Sequence, residues 1–156
     1  MKIYAHRGAS HDFPEMTALA YENAVKQGAD GFECDLRLTK DGVAILWHDA
    51  DLKRRADNDA IVAETKLKKL KAIYPQILTL DEFLDFGISE KKSLLLETKH
   101  PVPSRTKIEE VIVEKLKKEK SRIKKSEIDI TVMSFSWFAI EKIKAHLGYS
   151  PSVSIK

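Results

Sequence analysis

Short apolar runs alternate with longer amphipathic segments along this chain. Apolar runs of four to six residues are typical of buried β-strands, and apolar residues that recur at helical spacing indicate α-helices. The predicted strands span residues 2–6, 30–39, 43–48, 93–99 and 127–135, with the start of one more at 152–156. The predicted helices span residues 13–28, 79–89, 104–122 and 136–148, with one or two helical turns at 66–74.

The alternation of strands and helices predicts an α/β fold with a parallel sheet, either open or closed. Residues Lys40 to Gly42 interrupt this order between the second and third strands, and they predict either a hairpin or a tight bend. Residues 49–65 are polar and predict an irregular segment. Because the composition does not change along the chain and no repeat is found, we expect residues 1–156 to form a single domain.

Composition and charge narrow the choice of partners and location. The 156 residues carry a formal net charge of +3, which is too small to indicate nucleic acid or a membrane as the partner. The lysine-rich run at 114–125 is interpreted as the solvated face of a helix. No apolar run approaches the roughly 20 residues of a membrane span. His6 and Arg7 precede any segment that could form a signal peptide, so we expect a cytoplasmic protein.

Charged and imidazole side chains gather where four of the predicted strands end. Successive strand residues point to opposite faces, so Glu33 and Asp35 share a face, while Cys34 packs as a small apolar filler on the other. The remaining strand ends carry His6 with Arg7, His48, and Glu97 with Lys99. Ligands bind at the carboxyl edge of a parallel sheet or barrel, so these side chains are expected to form one constellation.

The chemistry of this constellation indicates a metal and an anionic substrate. Three carboxylates without a counter-charge would repel one another, and a hard divalent cation relieves that repulsion. Oxygen ligands suit Mg²⁺ or Ca²⁺ better than zinc. The two histidines are then available as acid and base, and the arginine and the lysine suit a phosphate ester.

Each signal also has a plainer explanation when it is taken alone. Glu33 and Asp35 could form a solvated strand face, and Lys99 beside Glu97 could be a surface ion pair. The four strand ends taken together favour the site. Among the other candidates, three histidines are interpreted as loop or surface residues and two tryptophans as core: His11, His100 and His146, and Trp47 and Trp137.

The sequence resembles the glycerophosphodiester phosphodiesterase family. The segments that carry the resemblance are "AHRGAS", "FPEMT", "GADGFECDLRLTKDGVAILWHDADLKR", "LTLDEFL" and "LLLETK", between about residues 3 and 135. The order of the short motifs HRG, E-x-D, HD and E-x-K is highly specific. Met16 departs from the family, which usually has asparagine after Pro-Glu, and this change is expected to loosen the first loop.

The resemblance implies a TIM barrel and metal-dependent hydrolysis of a glycerophosphodiester to glycerol 3-phosphate and an alcohol. It also implies a role for each side chain: Glu33, Asp35 and Glu97 as metal ligands, His6 and His48 as the acid–base pair, Arg7 and Lys99 as phosphate contacts, and Glu15 as a supporting residue that orients Arg7. The resemblance does not choose between water and the glycerol 2-hydroxyl as the nucleophile.

Chain length qualifies these expectations. A (β/α)₈ barrel takes about 250 residues, whereas this chain offers five clear strands and part of a sixth. We therefore expect an incomplete barrel of five to six βα units, whose open edge could be covered by self-association. The alternative is a catalytically weak or inactive relative that only binds a metal, a ligand or a partner chain.

Overall fold

The computed structural model of the chain describes residues 1–147, so the strand predicted at 152–156 lies outside the described residues. The strands are β1 (Tyr4–His6), β2 (Gly31–Leu38), β3 (Ala44–Leu46), β4 (Asp51–Leu52), β5 (Asn58–Ile61), β6 (Ser93–Thr98) and β7 (Ile130–Ser134). The helices are α1 (Ala18–Lys26), α2 (Lys53–Ala56), α3 (Leu67–Ile73), α4 (Leu80–Ser89), α5 (Lys107–Ser126) and α6 (Trp137–Leu147), with a 3₁₀ turn at Val62–Glu64.

The main sheet has five strands: four parallel strands in the order β1-β2-β6-β7, and β3, which pairs with β2. In its register His6 lies opposite Glu33, and Asp35 lies opposite Glu97. The long connections between these strands contain α1, α4 and α5, and α6 follows β7. Parallel strands joined through helices are the repeating unit of a (β/α)₈ barrel, so the predicted α/β class is confirmed.

The two faces of the sheet differ in chemistry. Phe32 and Cys34 of β2 belong to the main apolar core, together with Tyr21 of α1 and Phe83 of α4. The ring of Tyr21 lies 5.4 Å from the ring of Phe32 and 4.7 Å from that of Phe83, measured between centroids. Helices therefore cover this face, and strand alternation leaves the acidic residues on the other. Cys34 is buried in the core, as predicted.

The third strand forms a hairpin rather than a further parallel strand. β3 pairs with the end of β2 in antiparallel fashion, with Leu46 opposite Leu36. Leu36 also pairs with Thr98 of β6. Because a strand has only two edges, β3 lies on the edge of β2 that β1 occupies further back.

Residues 49–65 are ordered, which corrects the prediction of an irregular segment. They form β4, α2, β5 and the 3₁₀ turn, and β4 pairs with β5 as a separate antiparallel ribbon. A second apolar core, which includes Trp47, Leu52, Val62 and Leu70, anchors this excursion (residues 49–65) to the rest of the fold. No helix within residues 1–147 is both long and apolar enough to cross a lipid bilayer.

Candidate functional site

The turn after β1 carries the first site residues. Arg7 has a left-handed backbone with φ of 60°, and its N–H donates to the carbonyl of Glu33 at 3.2 Å and to Glu33 Oε2 at 3.1 Å. Gly8 follows with φ of 80°, and a Cβ at this position would lie 2.8 Å from Ala20 Cβ and 2.9 Å from its carbonyl carbon. The turn therefore requires glycine here, both for its backbone angle and for the close approach of α1.

Three buried carboxylates form the centre of the site. Glu33 and Asp35 come from β2 and Glu97 from the adjacent β6, and ligand oxygens of all three lie within 4.8 Å of one another. Their side chains are between 0% and 7% exposed. Strand alternation and the register between β2 and β6 produce this cluster, as the sequence predicted.

Two cations neutralise part of this charge. Arg7 Nε lies 2.8 Å from Asp35 Oδ2, and Lys99 Nζ lies 2.7 Å from Asp35 Oδ1 while also contacting Glu97. Burial lowers the pKa of Lys99, but its contacts with Asp35 and Glu97 outweigh burial and raise it overall. The lysine is thus held charged inside the site, and it is not a surface ion pair.

Glu33 is the one acid of the three without an arginine or lysine among its described ion pairs. Its Oε1 is buried and has no hydrogen-bond partner among the described residues. Burial, and then the charge of Asp35, raise the pKa of Glu33 to about 7. A carboxylate oxygen without a donor, in a cluster with net negative charge, matches the oxygen ligation that a hard divalent cation prefers. The donor set therefore fits Mg²⁺ or Ca²⁺ on chemical grounds.

The two histidines reach the site by different routes. His6 ends β1, is largely exposed, and places Nε2 3.7 Å from Glu33 Oε2. His48 follows the antiparallel β3, so it comes from a hairpin, which was one of the two predictions for Lys40 to Gly42, and not from the carboxyl end of a parallel strand. The backbone N–H of Trp47 donates to the carbonyl of Asp35 at 2.9 Å, and this hydrogen bond brings the end of β3 beside the carboxylates.

His48 is held in place by neighbouring residues for which no role was predicted. Its Nδ1 lies 2.7 Å from Asp49 Oδ1, and because an ionised carboxylate only accepts hydrogen bonds, Nδ1 is the protonated nitrogen. Burial opposes ionisation of Asp49, but hydrogen bonds from His48 and Arg54 lower its pKa. Arg37 Nε donates to the carbonyl of His48 at 2.8 Å. In the neutral ring, Nε2 is then the nitrogen that can accept a proton.

Glu15 receives three guanidinium groups. Arg7 Nη1 lies 3.4 Å from Glu15 Oε2, Arg55 Nη1 lies 3.8 Å from Oε1, and Arg54 donates to Oε1. Burial alone would raise the pKa of Glu15, but these contacts, above all the hydrogen bond from Arg54, lower it. Glu15 does contact Arg7, as expected for a supporting residue. Arg54 ends the longest segment of the resemblance and Arg55 follows it, but neither was assigned a role, since both lie in the stretch predicted to be irregular.

Met16 has a backbone conformation that explains why asparagine is the usual residue at this position in the family that the sequence resembles. Its φ is 56°, a left-handed angle that asparagine adopts more readily than methionine. The Met16 N–H donates to the carbonyl of Arg7 at 2.9 Å, and the side chain is buried in the main core. Apolar packing and this hydrogen bond therefore hold the loop in place of an asparagine side chain.

Comparison with known proteins adds independent information. A family model described as "Glycerophosphoryl diester phosphodiesterase family" matches residues 6–155. The probable glycerophosphodiester phosphodiesterase 1 of Mycobacterium tuberculosis is 32% identical, over 97% of this chain and 62% of its own length.

Solved structures give the same result. A glycerophosphodiester phosphodiesterase of Thermotoga maritima matches with a TM-score of 0.77 at 28% identity, over 91% of this chain and 57% of its own. A phosphodiesterase of Oleispira antarctica, solved with the product sn-glycerol-3-phosphate, matches with a TM-score of 0.72 at 28% identity, over 93% of this chain and 62% of its own. The chain thus spans between 57% and 62% of the length of these three relatives.

Proposed function

Because this chain belongs to the glycerophosphoryl diester phosphodiesterase family, we propose that it is a phosphoric diester hydrolase. Its substrate would be a glycerophosphodiester, and its products glycerol 3-phosphate and an alcohol. The observation that carries the proposal is the buried cluster of Glu33, Asp35 and Glu97 with Arg7 and Lys99 beside it. The product complex of the Oleispira antarctica relative supports the same choice of substrate.

The proposed cofactor is Mg²⁺ or Ca²⁺, held by Glu33, Asp35 and Glu97. The fit rests on the three oxygen donors and on the unpartnered Oε1 of Glu33. When bound, a divalent cation supplies positive charge that polarises the phosphoryl group. Arg7 and Lys99 then hold the phosphate oxygens, and Glu15 orients Arg7.

The two histidines are proposed to transfer protons. His48 is suited to accept a proton from the attacking oxygen, because Asp49 binds Nδ1 and leaves Nε2 free. The attacking oxygen belongs either to water or to the neighbouring glycerol hydroxyl. His6 is then the partner that donates a proton to the leaving alkoxide, and its exposed ring is accessible to substrate.

Release of glycerol 3-phosphate from a glycerophosphodiester, such as glycerophosphocholine, tests the proposal. The purified chain is expected to be active with Mg²⁺ or Ca²⁺ and inactive in EDTA. His48→Ala should lower kcat by about 10²–10⁴-fold. His146→Ala is the matched control, because His146 is exposed on α6 and its one described hydrogen bond is to the carbonyl of Lys142. Full activity in EDTA, or equal effects of the two substitutions, would contradict the proposal.

A second candidate is binding without turnover, or self-association. Its support is that β1 and β7 are the outer strands of the described sheet, and that aromatic residues are exposed beside β7. Phe135 is 83% exposed, Trp137 61% and Phe138 78%. Calorimetry with Mg²⁺ and light scattering separate the candidates, since metal binding without product release favours the second.

The remaining expectations stay predictions. The substrate is a small molecule, no nucleic-acid partner is expected, residues 1–156 are expected to form a single domain, and the protein is expected in the cytoplasm. Failure to retain DNA or RNA even at low salt would agree with the absence of a nucleic-acid partner.

A further inference from the structure

We propose that Arg54 is a positioning residue that fixes the ring of His48 through Asp49 and the guanidinium of Arg7 through Glu15. This inference rests on the proposed function, because it assigns Arg54 to the orientation of residues that act there. Arg54 lies on α2, within the excursion between the hairpin and α3.

One guanidinium joins the two sides of the site. Arg54 Nε lies 2.6 Å from Asp49 Oδ2, and Arg54 Nη2 donates to Glu15 Oε1. The other oxygen of each carboxylate contacts a residue of the site. Asp49 Oδ1 lies 2.7 Å from His48 Nδ1, and Glu15 Oε2 lies 3.4 Å from Arg7 Nη1. An unbroken series of ion pairs therefore runs from His48 to Arg7, and Arg7 Nε continues it to Asp35.

The geometry suits arginine better than lysine. Two different nitrogens of one planar group contact the two carboxylates in fixed directions, whereas lysine would have to reach both with one ammonium that lacks such a plane. The carboxylates themselves are only 15% and 25% exposed, so loss of their shared partner leaves charge with limited access to water. Asp49 would then keep only His48 among its described ion pairs, and Glu15 would keep only its longer contacts with Arg7 and Arg55, so both carboxylates would be less firmly oriented.

The backbone of the excursion places Arg54 for this task. The neighbouring Arg55 lies over the rings of Trp47 and Tyr74, at 5.5 and 5.1 Å from their centroids, and donates to the carbonyl of Glu15. Arg55 thus attaches α2 to the loop that carries Glu15. Arg54 is held at that junction with its side chain directed to both carboxylates.

The test uses Arg54→Met and Arg54→Lys in the full chain, with Arg122→Met as the matched control. Arg122 also bridges two carboxylates, Asp85 and Glu119, each at 2.8 Å, but it lies on α5 away from the site. The readouts are kcat and KM for glycerophosphodiester hydrolysis, and ¹⁵N NMR of the imidazole nitrogens of His48, assigned by their loss in His48→Gln. The NMR readout does not depend on activity.

In the wild type the proton of neutral His48 is expected on Nδ1. In Arg54→Met we expect a mixture of the two tautomers and a kcat lower by about 10–100-fold, with a smaller change in both for Arg54→Lys and none for Arg122→Met. An unchanged tautomer in Arg54→Met overturns the inference, whatever happens to kcat. If the wild type hydrolyses no diester yet the tautomer shifts, the proposed function fails while the positioning role stands. Arg54→Lys supplies the NMR test if Arg54→Met does not fold.

Discussion

Two clusters in this molecule contain the same kinds of charge in different surroundings. The site cluster has two cations and three carboxylates on the open face of the sheet: Arg7, Lys99, Glu33, Asp35 and Glu97. The helix cluster, between α4 and α5, also has two cations and three carboxylates: Lys115, Arg122, Asp81, Asp85 and Glu119. Both clusters therefore have a formal charge of −1.

One lysine–aspartate contact in each cluster has nearly the same length, but the exposure of the two aspartates differs. Lys99 Nζ lies 2.7 Å from Asp35, and Lys115 Nζ lies 2.8 Å from Asp81, but the Asp35 side chain is 0% exposed and that of Asp81 is 65% exposed. Exposed pairs contribute about 0–1 kcal/mol because water screens them. Buried charges lose their hydration, so each one depends strongly on its remaining partners. Contact distance alone therefore does not predict the energy of either cluster.

The largest effect is expected when the same substitution is made in both clusters. In metal-free protein, Lys99→Met should lower the free energy of unfolding by about 3–5 kcal/mol, because Asp35 and Glu97 lose a buried counter-charge. Lys115→Met should lower it by less than about 1 kcal/mol. Denaturant unfolding in EDTA measures both values. Similar losses in the two variants would show that burial does not distinguish the clusters.

Glu33→Gln should have the opposite sign and stabilise the metal-free protein. The pKa of Glu33 is raised from 4.5 to about 7, so the folded state holds a proton that the unfolded state releases. Wild-type stability should therefore fall as pH rises from about 4.5 to about 7, and the variant should lack this fall. Above pH 7 the variant should be more stable by up to about 3 kcal/mol, measured by unfolding across this pH range.

Metal supplies the control for this prediction. Mg²⁺ or Ca²⁺ should stabilise the wild type by binding the folded state and should stabilise Glu33→Gln much less. A variant that is no more stable than the wild type in EDTA at pH 8 would contradict the unfavourable burial of Glu33. The expected exchange of stability for hydrolytic activity is common at sites built from buried charges.

A pair on α5 tests burial within one helix. Glu109 is fully buried, with Oε1 2.7 Å from His100 Nε2, whereas Glu110 is 44% exposed and lies 2.8 Å from Lys142 Nζ. Glu109→Gln should lower the free energy of unfolding by about 2 kcal/mol, because a charge-assisted hydrogen bond is weakened. Glu110→Gln should cost no more than about 1 kcal/mol. Thermal and denaturant unfolding compare the two, and a larger cost for Glu110→Gln would reverse the interpretation.

Local sequence patterns were sufficient for the strand-borne half of the site. Alternation placed Glu33 and Asp35 on one face, and the order of the elements brought Glu97 beside them. These predictions depended on the period of a strand and the pairing of parallel neighbours, which do not require knowledge of distant contacts. The burial of Trp47 followed from its apolar run in the same way.

The excursion could not be predicted because distant contacts stabilise it. The two-residue β4 and the four-residue α2 are too short to show periodicity, and they are ordered by packing of Leu52 and by ion pairs of Arg54. The same limit explains one error and one missed contact. Trp137 was expected in the core but is exposed. His100 lies in the loop after β6, which agrees with one of its two expected positions, but its packing against Glu109 was not predicted.

Salt should produce the smallest effect and separate the clusters by screening. Raising NaCl from 0.01 to 1 M shortens the Debye length from about 30 to about 3 Å. The loss caused by Lys115→Met should then shrink by a few tenths of a kcal/mol, because Asp81 is exposed to counter-ions. The loss caused by Lys99→Met should change by a smaller fraction, since ions cannot approach Asp35. Denaturant unfolding in EDTA at the two salt concentrations measures this difference. If salt reduced the stability losses of both variants by the same fraction, water and ions would reach the site cluster as freely as they reach the helix cluster.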